Sequence, residues 1–199
     1  MVQRDTICQA AAAIFAAGVI WSVLFAGAAW AGEVGDDGLH KQPWFTVTFN
    51  DVAEDIETAK AEGKRLAIIF EQRGCSYCKK LHETVFSDPE VKAFIEKNFM
   101  VVQYNLYGAG DVTDLDGTTL TEKGAAKRWR VLFTPTVLFM PDAVPEDVAT
   151  ARDASVSSMP GAFQKGTVLH MFQWVRDRGY LTNESFQEFH ARQLGGRTE

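Results

Sequence analysis

Cysteine is scarce in this chain: 199 residues carry three, at positions 8, 75 and 78. A small secreted scaffold held together by disulfides needs more, so that class is excluded. Positive charge is also short. Lys and Arg total 20 against 26 Asp and Glu, a net charge of −6, and no basic stretch offers a nucleic-acid surface. The acidity is too mild, and the 46% hydrophobic content too high, for a disordered chain. Of the four histidines, none of His40, His170 or His190 forms a closely spaced ligand pair, so a closed four-ligand zinc site is not expected. There is no internal repeat, and only one long apolar run.

That run, Ala10 to Ala29, follows Arg4 and precedes the small-residue pattern Ala29-Trp30-Ala31. It reads as a secretory signal peptide over residues 1–31, cut after Ala31; an uncleaved N-terminal membrane anchor is the alternative. Export predicts a periplasmic protein. Cys8 leaves with the leader, so Cys75 and Cys78 remain as the only thiols, with no third to intercept their chemistry. Residues 32–43, rich in Gly and Asp, read as a linker, and residues 44–199 as one domain.

Within that domain strands and helices alternate. Phe45–Phe49 alternates apolar and polar residues and predicts a first strand. Asn50 is placed to cap a helix over about Asp51–Glu62. Leu66–Phe70 is a buried strand, followed by a helix through Phe86. Ser87 and Glu90 can form a capping box around Pro89, opening another helix. Met100–Leu106 is a third strand and Tyr107–Gly117 a polar loop. A short helix runs from Thr119 to near Trp129, then Thr136–Met140 forms a fourth strand. Asp142–Ser158 is an irregular insertion with a weak edge strand. Val168–Val175 and Phe186–Phe189 mark two terminal helices. This order predicts an α/β fold, a central mixed β-sheet flanked by helices on both faces. Trp44, Trp129 and Trp174 are read as core.

The chemistry concentrates at Cys75-Ser76-Tyr77-Cys78. Two cysteines three apart, at the head of a helix that follows a strand, form a redox dithiol. The free N–H groups and dipole of a helix N-terminus favour a thiolate there. Cys75 is therefore the attacking sulfur and Cys78, one turn further in, the resolving one. Tyr77, between them, is placed to contact substrate. Haem attachment fails because Lys79 stands where a histidine is needed. Cys75, Cys78 and His82 supply at most three zinc ligands, too few for a closed site. Soft thiolates do suit Cu(I), so a copper chaperone or binding module is the rival from outside enzymology. Asp111, Asp114 and Asp116 miss the spacing of a calcium loop and read as a solvated loop. Lys79 and Lys80 read as a solvated helix face, and His82 as surface or partly packed.

With the strand–Cys75-x-x-Cys78–helix unit and Phe133-Thr134-Pro135-Thr136 before the fourth strand, the chain resembles the thioredoxin superfamily from about Trp44 to Tyr180. The resemblance implies a thioredoxin fold and a cis-proline at Pro135, facing the dithiol, with Thr134 and Pro135 holding an extended substrate. The run Phe70-Glu71-Gln72-Arg73-Gly74-Cys75-Ser76-Tyr77-Cys78-Lys79-Lys80-Leu81 is similar to SoxW-type periplasmic thioredoxins. So are Ser87-Asp88-Pro89-Glu90-Val91, Asn98-Phe99, Asp114-x-Asp116-Gly117, and Tyr180 with Ser185-Phe186-Gln187. That likeness implies a reductant of disulfide-bearing client proteins, itself kept reduced by a CcdA/DsbD-like membrane partner. No bound cofactor is required, and no metal. The chain departs from ordinary thioredoxins in having Ile69 where they bury a proton-relay aspartate. Glu71 is the nearest acid able to substitute; its bland reading is an exposed strand-end glutamate. A disulfide oxidant of the DsbA kind is the alternative direction of electron flow, disfavoured because only Ser87–Phe99 separates the dithiol helix from the third strand.

Overall fold

The computed structural model describes residues 33–196. The leader expected over residues 1–31 lies outside them. Among the described residues no helix is long and apolar enough to cross a membrane.

The elements follow in the order α1 (Val52–Ala61), β1 (Arg65–Glu71), α2 (Ser76–Leu81) continued by a π-helical segment (His82–Phe86), α3 (Pro89–Asn98), β2 (Phe99–Asn105), β3 (Asp111–Thr113), β4 (Thr119–Thr121), α4 (Glu122–Arg128), β5 (Thr136–Phe139), α5 (Ala151–Ala154), β6 (Ser157–Pro160), α6 (Lys165–Arg176) and α7 (Phe186–Gly195). The main sheet has the order β2-β1-β5-β6. β1 and β2 run parallel, while β1–β5 and β5–β6 are antiparallel. This is the mixed sheet expected from the sequence.

All seven residues of β1 are buried, because both faces of the sheet are covered. The two-residue period still sorts them. Ala67, Ile69, Val101, Val137 and Phe139 face a layer built from the dithiol helix, α3, α6 and α7. Leu66, Ile68, Phe70, Val102, Tyr104 and Leu138 face α1 and α4 on the other side, with Trp129 wholly buried among them. Trp174 is also buried, and Trp44 is half-buried against the first layer.

Several local expectations are corrected. Phe45–Phe49 forms no strand; Val47 is 95% and Phe49 91% exposed, and the segment touches the sheet through Thr46 N–H, which donates to Val101 O at 2.8 Å. Alternation alone supplies no partner edge. Asp51, not Asn50, caps α1, while Asn50 takes a left-handed turn at φ 58°. Asp88, not Ser87, caps α3, accepting from the N–H groups of Glu90 and Val91; the Ser87 hydroxyl donates to Glu83 O instead. The Tyr107–Gly117 loop contains β3, paired with β4 in a hairpin, and the α4 helix begins only after its Thr121 cap.

The solvated reading holds for Asp111 and Asp116, which are exposed, and fails for Asp114. Asp114 is buried and accepts from Trp129 Nε1–H (2.7 Å), Ala151 N–H (2.7 Å) and Leu115 N–H (2.9 Å), with Arg128 Nε at 3.3 Å. It ties α4, α5 and the hairpin together. Asp116 pairs with Arg128, whose guanidinium holds the Asp116 carboxyl far below the usual carboxylate range.

Candidate functional site

β1 delivers the chain to the C-terminal end of its parallel pair with β2, and Gly74 then turns it. Gly74 has φ +72°, a conformation that costs other residues about 1 kcal/mol or more. The turn sets Cys75 as the N-cap of α2, where its Sγ accepts the Cys78 N–H at 3.0 Å. Cys75 and Cys78 are joined as a disulfide. Cys75 retains 7% exposure and Cys78 none. Only the first sulfur can be met by a large partner.

The second wall comes from far along the chain. The Thr134–Pro135 peptide bond is cis, and the Thr134 hydroxyl donates to Cys75 Sγ at 3.4 Å. The Thr134 carbonyl oxygen lies 3.6 Å from the same sulfur. The loop is pinned on both sides: Thr136 Oγ1–H donates to Phe133 O, and Gly161 N–H donates to Pro135 O, each at 2.7 Å. Pro135 is buried, whereas Tyr77 and Phe133 are each 65% exposed. Two exposed aromatic side chains thus neighbour, in sequence, the residues that carry the reactive site.

A buried network departs from the sequence reading. Glu71 is wholly buried, not an exposed strand end, and so is His82, read from sequence as surface. His82 Nε2–H donates to Glu71 Oε1 at 2.8 Å, and Gln103 Nε2–H donates to Glu71 Oε2 at 2.9 Å. On the other side of the ring, Gln42 Nε2 is 3.1 Å from His82 Nδ1. A carboxylate can only accept and an amide N–H only donate, which sets the Nε2–H tautomer. Lys41 Nζ donates to Gln103 Oε1 at 2.8 Å, and Gln103 also donates to His40 O at 2.7 Å. The described part of the segment read as a linker over residues 32–43 therefore packs on the domain at Leu39 and Gln42 and completes the network.

His82 stands four residues after Cys78, one turn below it on the same helix face. That spacing was the available signal for an inward histidine. Nothing local in sequence indicated Gln42 or Gln103. Both ring nitrogens of His82 are engaged, so His82 is not open to join the two sulfurs around a metal. Among the described residues no cluster of three or more His, Cys, Asp or Glu is arranged to hold a metal ion. Lys79 and Lys80 lie on the exposed face, Lys79 Nζ 3.7 Å from Glu83.

A family model described as a thioredoxin-like domain matches residues 52–152, about half of the chain and both halves of the site. No curated protein matches. Among solved structures, a thioredoxin-fold protein from Helicobacter pylori is similar at 16% identity and a TM-score of 0.50, over 77% of this chain and 89% of its own. A thioredoxin from Thermus thermophilus is similar at 25% identity and a TM-score of 0.49, over 65% of this chain and 86% of its own. The first likeness establishes the shared fold.

Proposed function

The chain belongs to the thioredoxin-like domain family, and on that premise we propose that it is a thiol–disulfide oxidoreductase that reduces disulfides of client proteins outside the cytoplasm, as SoxW-type thioredoxins do. The observation that carries the reading is the asymmetry of the pair. Cys75 reaches the surface with two hydrogen-bond donors on its sulfur, and Cys78 is sealed below it.

In the reduced protein the Cys78 N–H, the Thr134 hydroxyl and the helix N-terminus stabilise negative charge on Cys75 Sγ. That thiolate attacks one sulfur of the client disulfide. A mixed disulfide forms and the other client sulfur leaves as a thiolate. Cys78 then loses its proton and attacks Cys75 Sγ, releasing the second client thiol and leaving Cys75–Cys78 oxidised. Two electrons pass to the client. A dithiol carrier of the CcdA/DsbD kind in the membrane returns them to the pair.

Two groups assist. Thr134 and Pro135 hold the client backbone beside Cys75, with Tyr77 against its side chains. Glu71 is the proton relay for Cys78, and His82 is the positioning residue that fixes its carboxylate: one turn separates His82 from Cys78, and all three are shut off from bulk water. The presence of a leader and an extracytoplasmic location are parts of the same proposal.

Cys78→Ser tests it. With Cys75 as nucleophile and no resolving thiol, this variant accumulates mixed disulfides with model clients in extracts, released by dithiothreitol. Absence of any adduct, with adducts on Cys75→Ser instead, would overturn the assignment of roles. A reduction potential near about −270 mV supports a reductant, and one near about −120 mV reverses the electron flow.

A further inference from the structure

Beside the cis-proline loop lies a cleft that the chemistry above does not use. It has a volume of about 150 Å³, a size that takes a ring such as benzene and hence a single side chain. It is lined by the Arg130–Phe133 stretch and Thr136, by Arg152, and by Ser158 and Pro160 of the edge strand β6. No carboxylate lines it.

The arginines are available. The Arg130 side chain is 76% exposed, and its ion-pair partner Asp153 is 3.6 Å away and 56% exposed itself. So loose a pair is easily exchanged for another carboxylate. Arg152 has no carboxylate at ion-pair distance among the described residues. On the far side of the dithiol Arg73, Lys79 and Lys80 are exposed as well. A chain of net charge −6 therefore carries exposed cations beside its cis-proline loop and beside its dithiol.

We propose that this cleft is a client subsite, and that the protein selects disulfides flanked by acidic residues. The proposal rests on the oxidoreductase reading and names the substrate class it serves. Thr134 touches Cys75 Sγ, while its neighbours Phe133 and Thr136 line the cleft. A client strand lying along this loop advances about 3.3 Å per residue. Residues within about three positions of its cysteine therefore reach the cleft. An apolar or small side chain enters between Phe133 and Pro160, and a neighbouring carboxylate meets Arg130 and Arg152 in the bidentate manner that guanidinium favours.

The test uses the full chain, reduced, and three disulfide-linked peptide dimers identical except at two positions on each side of the cysteine, which are Asp, Ser or Lys. At low ionic strength the Asp peptide is reduced about tenfold faster than the Ser peptide, and the Lys peptide slower, with the spread closing as salt is added. In the double variant Arg130→Gln/Arg152→Gln the Asp-to-Ser ratio falls to about one, and in Arg130→Glu/Arg152→Glu it inverts. Because the readout is a ratio within one protein, partial loss of folding does not mimic it. An Asp peptide no faster than Ser overturns the subsite, as does an advantage that survives in both double variants. Uncharged hydroxyethyl disulfide separates the two levels: reduced without acidic preference, it sinks the subsite alone, and left intact, it sinks the oxidoreductase reading beneath it.

Discussion

Glu71 offers the sharpest trial of the buried network, because two substitutions there should separate packing from proton transfer. The carboxylate accepts from His82 Nε2 and Gln103 Nε2, and all of its surface is buried. In Glu71→Ala both donors lose their acceptor where water does not reach. Each stranded donor costs about 1–3 kcal/mol. With two donors stranded, Glu71→Ala is therefore expected to lose about 2–6 kcal/mol in denaturant unfolding. Glu71→Gln is different. The new amide oxygen accepts from Gln103, its N–H donates to His82 Nε2, and the ring answers by moving its proton to Nδ1, where a rotated Gln42 amide accepts it. Every partner is kept, so the loss should stay near about 1 kcal/mol. Yet the amide cannot take up the Cys78 proton. Stopped-flow measurement of mixed-disulfide resolution should show Glu71→Gln slowed by about 10²-fold near neutral pH, with the deficit shrinking as hydroxide rises. Resolution at the parental rate across the whole pH range would refute the relay. An Ala variant as stable as the parent would refute the energetics of the network.

Two further outcomes follow from the fold. Asp114 carries hydrogen bonds from Trp129, Ala151 and Leu115, so Asp114→Ala should cost about 3 kcal/mol or more, read by urea unfolding. Burial lifts the Asp55 carboxyl to about 6 despite an opposing hydrogen bond from Thr48. The native state thus binds this proton more tightly than the unfolded chain. The stability it contributes is complete below about pH 4 and is lost as pH rises through about 6. Asp55→Asn should be more stable than the parent at pH 7 by up to about 3 kcal/mol and no more stable at pH 3.5, read by thermal unfolding.

How much was legible beforehand differs from element to element. The strand Leu66–Phe70 and the helix after Cys75 were readable because apolar runs, glycines and caps act within a turn or two of chain. Phe45–Phe49 misled because alternation reports a pattern and not a partner. His82 was misread because its burial depends on Glu71, eleven residues upstream, and on Gln42, forty upstream. Asp114 looked solvated because the groups it binds, Trp129 and Ala151, come from later in the chain.

The sequence by itself determined the dithiol, its order and its place at a helix start, since Gly74, the Cys75 cap and the three-residue spacing are all local. Only the tertiary structure decided what faces those sulfurs. Thr134 meets Cys75 across 59 residues of chain, and Gln103 meets Glu71 across 32. Such contacts exist because the sheet order β2-β1-β5-β6 brings the strand ends together. Burial of a carboxylate beside a histidine, and two arginines lining one cleft beside the cis-proline loop, are consequences of that assembly, and no short stretch of sequence encodes them.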